Sequence, residues 1–337
     1  MSYWLEEYDQ TRHNLSSDWF VPFTEEQTNA VLYMGTNAIP WLIKGFSSGH
    51  LSSRGYVDAF RVLGPLARSA IPDLVHSVTN QPETIYSAGE LWTLGSFDML
   101  ALGGIGKDAV PALVQILTNS ISTGHKDSAL EAIASVGTNA LSALPVVVRY
   151  VSDTNEMVAV QAVWTVGAVG ARQPAGVQAL ERIMQIGAVP GRRIRGAALT
   201  AFRGFGEECA AAVIPALDDT DAGDHYMAFW VLRASAPDAL TNAAVLRRAA
   251  TGLRSSDPER QDLAVNLLRA ASQQAHGENP VNMTWAPFHE EEDYREATNA
   301  LSRLSPELYN EYIAAQVQFH THNSNNAAKQ TPAIYKP

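Results

Sequence analysis

The stretch "MGTNAIPWLI", residues 34–43, contains the tetrapeptide "GTNA", and the same four residues return at 137–140. Each copy stands a few residues before a proline. Aligning on that proline brings out further segments: "LGPLARSAIPDLVHSV" (63–78), "IGKDAVPALVQIL" (105–117), "VGTNALSALPVVVRYV" (136–151) and "FGEECAAAVIPALDD" (205–219). A weaker copy, "VGARQPAGVQALERI", covers 169–183. The lead glycines are Gly35, Gly64, Gly106, Gly137, Gly170 and Gly206, and their intervals average about 34 residues. The interval from Gly64 to Gly106 is longer and holds an insertion around "NQPETIYSAGELWTLG".

Before each glycine runs an apolar pattern of helical period. "SALEAIASVG" (128–137) places Leu130, Ile133 and Val136 three apart, and "AVQAVWTVGAVG" and "AALTAFRGFG" read alike. Sustained period-two alternation and Asn-Gly or Asp-Gly hairpin signals are missing, so strands are disfavoured. The punctuation then has a physical meaning. Glycine takes positive φ and stops a first helix. Thr36, Asn37, Asp108 or Asn139 is expected to accept from free N–H groups and start a second. The proline falls in that second helix's first turn, where its missing N–H costs little.

These "LG-x-x-A-x-P-x-L" blocks, with small-residue helices before them, resemble HEAT repeats, particularly the short bacterial kind also found in phycobilin lyase-like proteins. The resemblance covers residues 24–220 and weakens beyond. It implies an all-α fold, a right-handed α-solenoid (α/α superhelix) of about eight or nine helix pairs. Residues 1–23 are expected to form an N-terminal cap, with Trp4, Trp19, Phe20 and Phe23 covering the first repeat. Residues 221–319 read as degenerate repeats, with a helix opened by Asp257 and Pro258 and an insertion at 273–293. A last pair is expected at 292–304 and 306–319, restarted by Ser305 and Pro306. The polar segment 320–337 reads as a mobile tail.

Composition narrows the function classes. The 337 residues carry a net charge of −11, which disfavours nucleic acid as the main partner. The acids are dispersed apart from Glu290, Glu291, Glu292 and Asp293, which read as a solvated face. The N-terminus lacks the basic and apolar regions of a signal peptide. No uninterrupted apolar run approaches the roughly 18–20 residues of a membrane helix. A soluble, cytoplasmic protein without a membrane partner is the resulting expectation. Cys209, the one cysteine, sits among alanines and reads as a small buried hydrophobe.

The resemblance implies that second helices line the concave side of the stack. Numbering each from its proline, position +2 is apolar throughout: Leu42, Leu74, Leu113, Val147 and Leu217. Position +4 varies and is polar: Lys44, His76, Gln115, Arg149 and Asp219. Position +1 holds Trp41 and Asp73 in the first two copies. A varied polar column beside an apolar one marks a solvent face. Trp41, Lys44, Asp73, His76, Gln115, Arg149 and Asp219 are therefore the candidate partner-binding residues. Trp41 is the sharpest of them, since exposed tryptophan is a preferred interface anchor; the alternative is that it packs under the N-terminal cap. Arg192, Arg193, Arg195 and Arg203 form a basic cluster that opens a first helix and is a candidate patch for an acidic partner.

Catalytic constellations are sparse. Deoxyhypusine hydroxylase resembles this fold class and carries several His-Glu pairs that hold two irons; this chain has one such dipeptide, His289-Glu290. HEAT-like DNA glycosylases need a basic groove that an acidic chain does not supply. His320 and His322 form "HTH", short of the three or four ligands a stable metal site wants. "GGIG" at 103–106 closes a helix and does not follow a strand, so it is no phosphate loop. The expected function is a non-catalytic scaffold or adaptor binding a protein or peptide along the concave face, with no cofactor and no metal. The alternative is a lyase-like or chaperone-like protein holding a small ligand in the curve, near the insertions at 80–100 or 273–293. Oligomeric state and partner identity stay open.

Overall fold

A computed structural model describes residues 24–48, 53–80, 94–186, 192–219, 222–280 and 291–329. Among them every regular element is helical. The fold is an all-α solenoid of helix pairs. The packing divides the chain into two compact units, Met1–Ala201 and Phe202–Pro337.

The first unit holds α1 (Glu25–Met34), α2 (Ile39–Ser47), α3 (Ser53–Leu63), α4 (Ile71–Asn80), α5 (Leu94–Ile105), α6 (Val110–Asn119), α7 (Thr123–Val136), α8 (Leu144–Val147), α9 (Glu156–Gly170), α10 (Pro174–Ile186) and α11 (Arg192–Ala201). Odd-numbered helices stack on one another in order, α1 on α3, α3 on α5, and so on to α9 on α11. The first four pairs are joined by 3-10 turns, such as Gly35–Ala38 or Lys107–Ala109, and α9 and α10 by a turn at residues 171–173. The +2 residues Leu42, Leu74, Leu113 and Val147 are buried, beside Phe60, Leu102, Leu130 and Val163. Each such side chain removes enough apolar surface to contribute about 1.5–3 kcal/mol. Phe46 stacks on Tyr56 with ring centroids 4.2 Å apart, which joins α2 to α3.

Five lead glycines, Gly35, Gly64, Gly106, Gly137 and Gly206, do have positive φ. Gly170 does not, and Arg172 takes the left-handed position in that repeat at φ 55°. The reason is packing: a Cβ on Gly170 would lie 2.5 Å from the Cα of Gly176. Glycine is needed there for close approach rather than for the turn.

The expected caps are corrected. The residues before α2, α6 and α8 are Ala38, Ala109 and Ala143, all with helical backbone and none with a side-chain cap hydrogen bond. Thr36, Asn37, Asp108 and Asn139 lie inside the 3-10 turns instead. The turn runs into the helix without an extended residue, so a capping geometry never arises. In the first unit, side-chain caps are found at the start of first helices. Asn155 Oδ1 accepts from the Met157 N–H at 3.0 Å, and Thr24 with Gln27 forms a capping box.

One stretch, Thr123–Ser152, is by length and composition apolar enough to cross a membrane, although charged residues such as Lys126, Asp127 and Glu131 interrupt its apolar run. It is not a single rod. Gly137 at φ 65° and Ala140 outside helical φ/ψ interrupt it, and Leu130, Ile133 and Val147 on either side of the break are buried in the stack.

The second unit holds α12 (Ala210–Val213), α13 (Ala222–Ser235), α14 (Ala243–Gly252), α15 (Pro258–Ala275), α16 (Glu291–Leu304) and α17 (Pro306–Lys329), with 3-10 turns at Ile214–Asp218 and Pro237–Thr241. Helix α15 packs on α13, α14 and α16, and α17 on α14 and α16. Asp257 caps α15, its Oδ1 accepting from the Glu259 N–H at 3.1 Å. The helical boundaries differ from the sequence reading. Helix α15 continues to Ala275, inside the expected insertion, and α17 runs to Lys329, into the segment whose polar composition reads as a tail. Neither extension contains a proline or glycine to stop it. The boundary between the two compact units falls at Ala201/Phe202, and Phe202 and Phe205 just beyond it are buried. The expected cap at 1–23 lies outside the described residues.

Candidate functional site

The candidate column on the first unit is built by helix amphipathicity. With +2 turned inward, +1 and +4 are left on the other face. Trp41 is 59% exposed, and Lys44, Asp73, His76, Gln115 and Arg149 are exposed on successive second helices or, for Arg149, on the 3-10 turn that follows α8. The side chains of Lys44, Asp73, Gln115 and Arg149 take no hydrogen-bond or ion-pair partner among the described residues. His76 is engaged locally, with the Asn80 amide 2.8 Å from its Nδ1.

Asp219 departs from the column. It belongs to the second unit, is half-buried, and follows the Ile214–Asp218 turn rather than lying within a helix. Its carbonyl accepts from Arg260 Nη2 at 2.8 Å. The cause is the shortened helix of that copy, in which Ala216 at +1 is also buried. The arginine cluster is likewise divided. Arg192, Arg193 and Arg195 open α11 of the first unit, whereas Arg203 lies in the second. Arg193 stands 3.9 Å from Glu156, Arg195 is half-buried, and Arg203 is exposed.

Two polar features escaped the sequence reading. The first is Asp98, 2% exposed in the apolar helix α5. Its Oδ1 accepts from the Tyr56 hydroxyl and its Oδ2 from Ser77, both at 2.6 Å. Burial holds the Asp98 carboxyl above the usual carboxylate range, with the two hydrogen bonds offsetting part of that, and burial beside Asp98 pushes the Tyr56 hydroxyl far up. The three groups fasten α3, α4 and α5 together. The only sign of it in the sequence is an aspartate amid "LGSFDMLALGG".

The second feature is a cavity of ≈ 900 Å³ in the second unit, at the upper end of ligand-pocket volumes. Arg247, Arg248, Arg254 and Arg260 line it, against one acidic group, Asp218. Arg248 Nε donates to Asp218 Oδ2 at 2.8 Å, and Arg260 Nη2 donates to the carbonyls of Asp218 and Asp219. Gly252 closes the floor: a Cβ there would meet Ala264 Cβ and the Arg260 carbonyl at 2.9 Å. Guanidinium groups do not deprotonate, so they bind anions and do not serve as general acids or bases. Their signal lies in and just after α14, where Arg247, Thr251 and Arg254 recur at a spacing of three to four residues and Val245, Leu246 and Ala249 are buried.

Other candidates resolve structurally. Cys209 is buried, and burial, then Glu207 and Glu208, push its thiol up to about 12, which makes it an inert thiol. Gly103 and Gly104 of "GGIG" are where α5 meets its neighbours: a Cβ would lie 2.8 Å from the Ala132 carbonyl and 2.9 Å from the Arg61 nitrogen respectively. No group of three His, Cys, Asp or Glu able to hold a metal occurs among the described residues. His289-Glu290 lies outside them, and His320 and His322 lie on α17.

Residues 110–201 match the family described as HEAT repeats. No curated protein matches the chain. Among solved structures, the chain is similar to YibA of Escherichia coli, at 14% identity over 84% of this chain and 99% of that one, with a TM-score of 0.43. It is similar to human deoxyhypusine hydroxylase in complex with glycerol, at 18% identity over 81% and 97%, with a TM-score of 0.35. A structure of the Pds5–Scc1 complex is similar at 10% identity over 89% of this chain and 53% of that one, with a TM-score of 0.42.

Proposed function

We propose that this chain, a helical scaffold with HEAT repeats at residues 110–201, is a non-catalytic adaptor. It binds another protein, or a peptide segment of one, along the second helices of the first unit. The observation that supports this is the column itself. Trp41, Lys44, Asp73, His76, Gln115 and Arg149 stand exposed in register beside a fully buried +2 column. Such a surface is held by the core beneath it, so binding orders few groups and loses little conformational entropy. Trp41 supplies an aromatic anchor, and the mixed charges supply register. The split arginine cluster on α11 would add a peripheral contact for acidic groups.

The test is affinity enrichment from the source organism with two baits, the native chain and one carrying Lys44→Glu, His76→Ala and Arg149→Glu. A protein held by the native bait and lost from the variant supports the reading. Equal enrichment by both baits contradicts it, because all three residues lie on the surface and their replacement leaves the core intact.

A further inference from the structure

We infer that the arginine-lined groove of the second unit is a binding site for an acidic peptide segment, carboxylate-rich and carrying small apolar side chains. The site is separate from the first-unit column and does not depend on it.

The groove combines fixed and unfixed cations. Arg248 is held by Asp218 and by its own helix, its Nη1 donating to the Ala244 carbonyl at 3.1 Å. Arg260 is held by two backbone carbonyls. These two make the walls. The Arg247 and Arg254 guanidinium groups are exposed and have no hydrogen-bond or ion-pair partner among the described residues. Each has its donors free to meet a carboxylate in the bidentate geometry that strengthens such pairs. Asp218 is the one acid in the lining, so the groove carries net positive charge in a chain whose net charge is −11. A concentrated basic site on an acidic molecule draws an acidic ligand toward it.

Shape decides what kind of anion fits. Arg247 and Arg254 are seven residues apart on and just beyond α14, about 10 Å along its axis. An extended chain spans that distance in about three residues. Between the cations the lining is apolar, from Ala243, Ala244, Ala264 and Leu267. That floor favours a segment with apolar side chains between its acids over a sugar-phosphate strand.

The experiment is fluorescence anisotropy on the full chain with two labelled peptides. One intersperses glutamate with alanine and leucine; the other has glutamine in place of each glutamate. The expected result is binding of the glutamate peptide, weakened at least about tenfold in the glutamine peptide and in the Arg247→Glu, Arg254→Glu double variant. Affinity should fall as salt rises. Arg247→Gln with Arg254→Gln should give an intermediate loss, and circular dichroism should show both variants folded, since neither side chain is in the core. The first-unit variant Lys44→Glu should bind as the native chain does, so failure of the first-unit reading and failure of this one are distinguishable. Equal binding of both peptides, unchanged binding by the arginine variants, or tighter binding of a single-stranded oligonucleotide or of inorganic phosphate than of the glutamate peptide would each overturn the assignment.

Discussion

The two units solve the same packing problem and leave different surfaces. In the first, each pair turns one or two polar residues outward at a fixed place, so charge is dealt out along the stack: Lys44, Asp73, His76, Arg149. Both signs of charge occur along the column. In the second, the helices are less alike, and the junction of α14, α15 and the Ile214–Asp218 turn brings four arginines to one groove. Regular repetition yields an extended, mixed-charge face suited to a partner surface. Departure from regularity yields a local, single-sign site suited to a short segment. The degenerate half is thus where concentrated chemistry is found, and the regular half is where shape is found.

The largest effect that would sharpen this contrast is on the buried columns. Leu113→Ala empties a fully buried site in the first unit and should cost about 2–5 kcal/mol, read by urea unfolding. Leu217→Ala in the second unit should cost a similar amount and in addition enlarge the groove it lines. If Leu113→Ala costs under about 0.5 kcal/mol, as an exposed site would, the regular stack is wrong.

Glycines give the next test, because Gly137 and Gly252 are required for different reasons. Gly137 has positive φ and open space around it, so Gly137→Ala should cost about 1–2 kcal/mol through backbone strain alone. Gly252 lies under the groove, where a methyl would press on Ala264 and on the Arg260 carbonyl. Gly252→Ala should cost about 1–3 kcal/mol by overpacking, and it should weaken acidic-peptide binding as well. Loss of stability with unchanged peptide binding would separate the groove from Gly252 and weaken the local account.

The smallest effect concerns charge on α7. Glu131 sits one turn after Asp127, and burial, then that neighbour, hold its carboxyl above the usual range. A carboxyl whose folded pKa exceeds its unfolded one favours folding most when protonated. That contribution is present at low pH and is lost as pH rises through the raised value. Glu131→Gln should therefore stabilise the protein by about 0.2–0.5 kcal/mol at neutral pH and by nothing measurable at acid pH. Stabilisation independent of pH would point to a cause other than charge.

The fold was legible because its punctuation is local. A glycine that must take positive φ and a proline confined to a first helical turn mark each pair, and their spacing reports the repeat. Gly170 shows the limit of that reading: its role is set by Gly176 across the helix contact, which spacing does not reveal. The missed caps have a similar cause, since Thr36 and Asn139 look like cap residues but sit within turns whose backbone is already helical. The column at +4 was legible as periodicity, whereas Asp219 left it when its helix shortened. The groove was half legible. Arg247, Thr251 and Arg254 share a helical stripe that can be read from spacing, but Arg260 and Asp218 reach them only through tertiary packing.

The most direct test of the scaffold reading is site-specific photo-crosslinking. A photoreactive residue is placed at Gln115, on the exposed column, and separately at Ser135, exposed on the first helix α7. Irradiation in extract of the source organism is followed by identification of the joined peptides. The account predicts one partner joined reproducibly from position 115, absent from position 135, and lost when Trp41→Ala and Arg149→Glu are added. The same partner captured equally from both positions, or retained in full after those replacements, would contradict it.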